Sequence, residues 1–90
     1  GLSGWARYLQ KNLKYPERAI NREIQGMVVV QFIVDTEGNV QGMDLYKSVE
    51  YSIDDEAKRL IVVSPKWKPG TQDGKKVKTY KRQPIVFRLQ

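Results

Sequence analysis

Cysteine and histidine are both absent from this sequence of 90 residues. Without cysteine the protein forms no disulfides and has no thiolate nucleophile. Without histidine it lacks the most common metal ligand and the usual general base near neutral pH. We therefore predict a protein that is not an enzyme and that binds no metal and no cofactor.

Long apolar runs and phosphate-binding loops are missing as well. No segment approaches the roughly 18 consecutive apolar residues of a membrane-spanning helix, and no signal peptide is visible. The stretch PGTQDGK has a Gly-x-x-x-Gly-Lys spacing, but it is shorter than a P-loop and no strand precedes it. We do not interpret it as a nucleotide site.

The composition is that of a folded domain with a moderately basic surface. Apolar residues make up 40% of the sequence and charged residues 29%, which is typical of globular proteins. Lysine and arginine total 16 against 10 aspartates and glutamates, so the net charge is +6. Such a charge is ordinary for a soluble domain, although it favours acidic partners. The length suits one domain, which we assign to residues 1–90.

The first 25 residues predict two short helices. Ser3 can cap the first helix, in which Trp5, Leu9 and Leu13 recur at helical spacing on one face. This helix, assigned to residues 1–14, should end before the Tyr-Pro pair because a residue preceding proline avoids the helical conformation. The segment PERAINREIQG predicts a second helix, with proline at its first position and Gly26 at its end.

The segment MVVVQFIVDTEGNVQGMDLYKSV predicts a β-hairpin. The apolar residues of its first strand alternate onto one face: Val28, Val30, Phe32 and Val34. The other face is also mostly apolar, which favours a central strand. DTEGN supplies the turn, and the broken alternation at Gly42 predicts a β-bulge.

A third helix and a last strand complete the chain. SIDDEAKRLIVVSP predicts a helix capped by Ser52, with Asp55 three residues later. After a tight turn at Asp73-Gly74, the last strand should begin near Val77. Pro84 marks this strand as an edge, since proline has no N–H for a sheet ladder. Its inward face would consist of Ile85, Phe87 and Leu89.

These elements predict an α+β fold. The order helix, helix, strand, strand, helix, strand favours a two-layer sandwich with helices packed on one face of a three-stranded, antiparallel or mixed sheet. The long crossover lets strand three pair with strand one, so the strand order is 2-1-3. The last strand then has one unpaired edge.

Basic residues accumulate around the last strand, and two interpretations fit them. The cluster consists of Lys75, Lys76, Lys78, Lys81, Arg82 and Arg88. With the nearby aromatics Trp67 and Tyr80 it can bind single-stranded nucleic acid. It can also protect an exposed strand edge from aggregation. We favour the second interpretation, with Trp67 in the core, and predict no nucleic-acid partner.

The order of several short motifs resembles the TonB C-terminal domain, in a variant typical of Bacteroidetes-like bacteria. The motifs are YPERA, QGMVVVQFIVDTEGNV, SIDDEA, PKWKPG, DGKKV and PIVFRL. They run from about Tyr15 to Leu89, and we assign the family core to residues 15–90. The helix WARYLQKNL precedes them, as in that variant.

This resemblance implies a role in energy transduction for nutrient uptake such as siderophore transport. The domain would lie in the periplasm of a Gram-negative bacterium, in a parent protein anchored in the inner membrane. An ExbB–ExbD complex would drive that protein through an N-terminal region. The domain would bind the TonB box, a short extended peptide of outer-membrane TonB-dependent receptors, by β-strand addition to its last strand.

The resemblance also implies which residues contact the receptor. The edge strand would contribute Val77, Thr79, Tyr80, Lys81, Arg82, Gln83, Ile85, Val86, Phe87 and Arg88. The Tyr-Pro segment would contribute Lys14, Tyr15 and Pro16. Family members often have glutamine at the position of Lys14. Pro84 removes one donor from the edge, so pairing should be best on one side of it.

Two other functions also fit the sequence. The same fold can serve as a periplasmic binding or signalling module fused to another membrane protein, such as a sensor peptidase. The basic last strand can bind single-stranded nucleic acid, which would require a steep dependence on salt. A homodimer through the open edge is compatible with each of these functions.

Overall fold

The computed structural model describes residues 3–90, so residues 1 and 2 of the predicted first helix lie outside the described part. Three helices and five strands follow in order: α1 (Gly4–Asn12), α2 (Glu17–Asn21), β1 (Gly26–Val34), β2 (Val40–Lys47), α3 (Tyr51–Val62), β3 (Gly70–Gln72), β4 (Lys75–Val77) and β5 (Thr79–Phe87). None of the helices described is long and apolar enough to span a membrane.

The main sheet has the order β2-β1-β5, and both of its strand pairs are antiparallel. The predicted α+β fold with strand order 2-1-3 is therefore confirmed. β5 pairs with β1 without a register shift, from Gly26 opposite Phe87 to Val34 opposite Thr79. β3 and β4 form a separate two-stranded sheet.

The core lies between the helices and one face of the sheet. The alternating residues predicted for the inner face of β1 are all buried: Val28, Val30, Phe32 and Val34. Ile85 and Phe87 extend this face on β5. α3 covers it with Ile53, Leu60 and Ile61, each of which is fully buried. Trp67 packs against the cluster, as predicted, with its ring centroid 5.1 Å from that of Phe32.

The first hairpin has the predicted turn and bulge. Gly38 in the turn has φ +87° and Gly42 has φ +55°, a region that favours glycine. At Gly42 two residues of β2 lie opposite one residue of β1, as a β-bulge requires. A second register shift, beside Tyr46, was not predicted.

The predicted cap of α3 is wrong by two residues. The N-cap is Glu50, whose carboxylate accepts hydrogen bonds from the N–H of Ser52 at 3.1 Å and from its Oγ at 2.5 Å. Arg18 holds the same carboxylate at 2.7 Å. A partner 32 residues away therefore favours Glu50 over the hydroxyl cap that local sequence suggests.

The predicted end of α2 also differs. α2 ends at Asn21, and the residue with positive φ is Glu23, at +52°. Gly26 instead begins β1. A Cβ at Gly26 would lie 3.0 Å from a Val49 methyl group, so close packing against that side chain is one reason for glycine there.

The last strand begins later than predicted. Asp73 and Gly74 have φ values of +51° and +77°, which closes a tight hairpin between β3 and β4. This hairpin uses Val77, which pairs with Gly70 rather than with the main sheet. The chain then enters β5 at Thr79.

Candidate partner-binding edge

β5 is an edge strand of the main sheet. Within residues 3–90 it pairs with β1 on one side and with no strand on the other. The backbone groups on that second side face away from the sheet. An edge of this kind is a template for a further strand, which is the property that a candidate site needs.

A hydrogen bond in the β1–β2 turn shows which residues of β5 direct their backbone N–H and C=O groups outward. The N–H of Asp35 donates to the carbonyl of Asn39 across the β1–β2 turn. Because backbone direction alternates along a strand, Val29 also bonds toward β2 rather than β5. Pro84, which lies opposite Val29, therefore directs its nitrogen and carbonyl to the open side. The β1–β5 ladder therefore loses no hydrogen bond because of Pro84.

The same alternation assigns three more outward positions on β5. Tyr80, Arg82 and Val86 have the parity of Pro84, so their N–H and C=O groups face the open edge. Pro84 interrupts this row because it has no N–H. Its carbonyl also has a partner already, since the Gln83 side-chain amide donates to it at 3.0 Å. The edge is thus divided into two parts at Pro84.

The side chains predicted to contact a partner lie on both faces of β5. Lys81 lies on the inner face, where its Nζ is 5.8 Å from the centroid of the Trp67 ring. Arg82 lies on the outer face, where its guanidinium carbon is 3.7 Å from the centroid of Tyr46. Tyr80 is 86% exposed. These cations and aromatics remain accessible around the edge, whereas Trp67 is half-buried between other rings.

The Tyr-Pro segment lies beside the C-terminal end of β5. The Tyr15 ring meets the Phe87 ring edge to face, with 5.6 Å between centroids. Its hydroxyl donates to the carbonyl of Ile24, and burial raises the pKa of this hydroxyl. The exposed Lys14 donates its backbone N–H to Glu56 Oε2 at 2.8 Å, and Pro16 is the N-cap of α2.

Two sets of predicted residues therefore come together and one residue does not. Thr79 to Phe87 form the edge, Arg88 follows it directly, and the Tyr-Pro segment adjoins its end. Val77 lies in the separate hairpin and contributes nothing to the edge of the main sheet.

Contacts with α3 and with Trp67 hold α1 next to this edge. The Tyr8 hydroxyl donates to the carbonyl of Leu60 at 2.7 Å. Burial raises the pKa of the Tyr8 hydroxyl. Arg59 donates to the carbonyl of Asn12 at 3.0 Å. The Trp5 ring packs on Trp67 at 5.1 Å. These contacts hold α1 in the helical layer.

A groove separates α1 from the open side of β5. The volume of this groove is about 420 Å³. Its lining consists of Ala6, Leu9, Gln10, Leu13 and Val86. These α1 residues are not among those predicted to contact a partner. The signal available was the helical apolar stripe that contains Leu9 and Leu13, with Ala6 beside it.

These observations define a class of protein: an α+β domain whose three-stranded sheet has a free edge at β5 that Pro84 interrupts. Residues 11–89 match the family model described as the Gram-negative bacterial TonB protein C-terminal. The chain therefore belongs to the TonB C-terminal domain family, as the motifs predicted. Members are non-catalytic transducer domains that interact with outer-membrane receptors in the periplasm of Gram-negative bacteria.

Solved structures of the family share the fold. A solution structure of the Helicobacter pylori TonB C-terminal domain matches all of this chain and 86% of its own, with 22% identity and a TM-score of 0.70. A second solution structure of that domain matches 92% of this chain and 86% of its own, with 23% identity and a TM-score of 0.60. No curated protein sequence matches the chain.

Proposed function

We propose that this domain is the receptor-binding part of a TonB-type energy transducer. It binds the TonB box of an outer-membrane receptor as an additional strand on β5. Energy from the proton gradient reaches the receptor through this contact. The observation that supports the proposal is the free edge of β5, with outward backbone groups at Tyr80, Arg82 and Val86.

Strand addition suits a domain that serves several receptors. Backbone hydrogen bonds contribute most of the affinity, and they make few demands on the partner's side chains. Each bond contributes roughly 1 kcal/mol, so a short edge gives modest affinity. A row of such bonds nevertheless shares a pulling load, which supports force transmission along the added strand.

Positive charges around the edge would steer the receptor peptide. Lys81, Arg82 and Arg88 are exposed, and they lie on or directly after β5. Long-range attraction of this kind mainly raises the association rate and weakens with salt. An acidic segment near the TonB box would complement it.

The rest of the mechanism belongs to a parent protein. We infer an inner-membrane anchor and a periplasmic location for that protein. An ExbB–ExbD complex would act on its N-terminal region. A homodimer through β5 would compete with the receptor, since both partners would use the same edge.

An amide-resolved NMR titration with TonB-box peptides tests the proposal. Shifts along Thr79–Phe87 that a scrambled peptide does not produce are expected. The matched variants are Arg82→Pro and Arg82→Ala. Both remove the side chain, but only proline removes the outward N–H, and this nitrogen is not used by the β1 ladder.

The proline variant should fold and lose most of its peptide affinity, whereas the alanine variant should keep it at high salt. Equal binding by both variants would contradict pairing at Arg82, and equal shifts with the scrambled peptide would contradict strand addition. A domain that ignores all TonB-box peptides would instead fit a signalling module of the same fold.

A further inference from the structure

The groove between α1 and β5 opens beside the C-terminal part of the free edge. Leu9 and Leu13 line it from α1. Both side chains pack against the core but remain only half-buried. Val86 lines it from β5. The groove therefore joins an apolar surface to the backbone groups of Val86, which face the open side.

Strand geometry determines which side chains of an added strand would reach this groove. Residues directly opposite each other in neighbouring strands direct their side chains to the same face. Ile85 and Phe87 direct theirs into the core, on the side of the helices. The residues of an added strand opposite these two would therefore face α1, and those opposite Val86 would face outward.

We propose that α1 forms a specificity pocket for the partner strand. The pocket selects an extended peptide with an aliphatic side chain at the position opposite Ile85 or Phe87. This inference rests on strand addition to β5. It deepens that proposal, because it assigns the discrimination between partner side chains to the part of the edge that follows Pro84.

The interruption at Pro84 supports this division of the edge. Pro84 offers no N–H, and its carbonyl already accepts one hydrogen bond from the Gln83 side-chain amide. A strand that crosses this point lacks the hydrogen bond that an N–H at position 84 would donate, and it must share the carbonyl with the Gln83 amide. The segment after Pro84 adjoins the groove, so an apolar side chain there adds contact where the backbone alone provides few bonds.

Gln10 allows a test that does not damage the core. It is exposed and lines the groove, whereas Lys11 is exposed on the same helix and does not line it. Gln10→Leu enlarges the apolar lining, and Lys11→Leu is the matched control. The probe is a blocked synthetic peptide of alternating threonine and valine, with leucine or aspartate at one guest position.

The leucine peptide should bind the unaltered domain about tenfold more tightly than the aspartate peptide, as expected for a half-buried aliphatic side chain. Gln10→Leu should tighten the leucine peptide about threefold further, and Lys11→Leu should leave it unchanged. Amide shifts of Leu9 and Leu13 should accompany binding. Moving the guest by one residue turns it to the outer face and should remove the preference.

Two different results would overturn the inference. If both peptides shift the β5 amides equally in all variants, strand addition holds but α1 reads no side chain. If no peptide, including a TonB-box peptide, shifts the β5 amides, strand addition itself fails and the pocket fails with it. A tighter complex with Gln10→Leu cannot arise from misfolding.

Discussion

Tyr15 meets Phe87 edge to face, with 5.6 Å between the ring centroids. This contact joins the two segments that the family resemblance implicates in receptor binding. It lies at the C-terminal end of β5, opposite Gly26 at the start of β1. The Tyr-Pro segment therefore lies beside the end of the free edge, and Tyr15 also has a structural role.

Tyr15→Phe should lower the free energy of unfolding by about 1 kcal/mol, because it removes the hydrogen bond to the Ile24 carbonyl and keeps the ring. Tyr15→Ala should cost about 3 kcal/mol, because the contact with Phe87 is lost as well. Urea unfolding of the two variants measures the difference. Equal losses would mean that the ring contributes nothing beyond its hydroxyl.

Pro84→Thr should strengthen peptide binding about fivefold. The substitution adds an N–H at an outward position, and one further hydrogen bond contributes roughly 1 kcal/mol. Val86→Thr is the control, because it introduces the same side chain where an outward N–H already exists. Isothermal titration with a TonB-box peptide measures both. Unchanged affinity for Pro84→Thr would show that the peptide does not pair at this position.

Gly38→Ala should be more damaging than Gly74→Ala, although both residues have positive φ. A Cβ at Gly38 would lie 2.4 Å from the Trp67 carbonyl oxygen, whereas a Cβ at Gly74 meets nothing within 4 Å. We expect a loss of about 1 kcal/mol at Gly74 from φ alone. At Gly38 we expect about 3 kcal/mol, because the turn must also move away from Trp67. Thermal unfolding of both variants tests this ranking.

Glu50→Gln should weaken the acid sensitivity of the fold. The hydrogen bonds from Ser52, followed by those from Arg18, lower the pKa of the Glu50 carboxyl below 4.5. A group with a lowered folded pKa contributes its stability above the unfolded pKa and loses it as the pH falls through the folded value. The unaltered domain should therefore lose stability below about pH 4.5 more steeply than the variant.

Urea unfolding between pH 3 and pH 7 measures these two slopes. At neutral pH the variant should be the less stable of the two, since Arg18 then lacks a charged partner. Parallel curves for the two proteins over the whole range would contradict the role of Glu50.

The alternation of apolar residues was sufficient to predict the sheet. Strand β1 is apolar on both faces, and this pattern correctly made it the central strand. Pro84 correctly marked β5 as the edge, because the missing N–H is a property of the residue itself. The bulge at Gly42 and the hairpin turn also followed from local patterns.

Contacts between distant residues were decided by the tertiary structure. The cap of α3 depends on Arg18, the position of Val77 depends on the β3–β4 hairpin, and the groove depends on how α1 packs on α3. A periodic pattern reports which face of an element is buried, because burial acts on every residue of that face. It does not report the partner across the interface, because that choice depends on geometry between elements far apart in the chain.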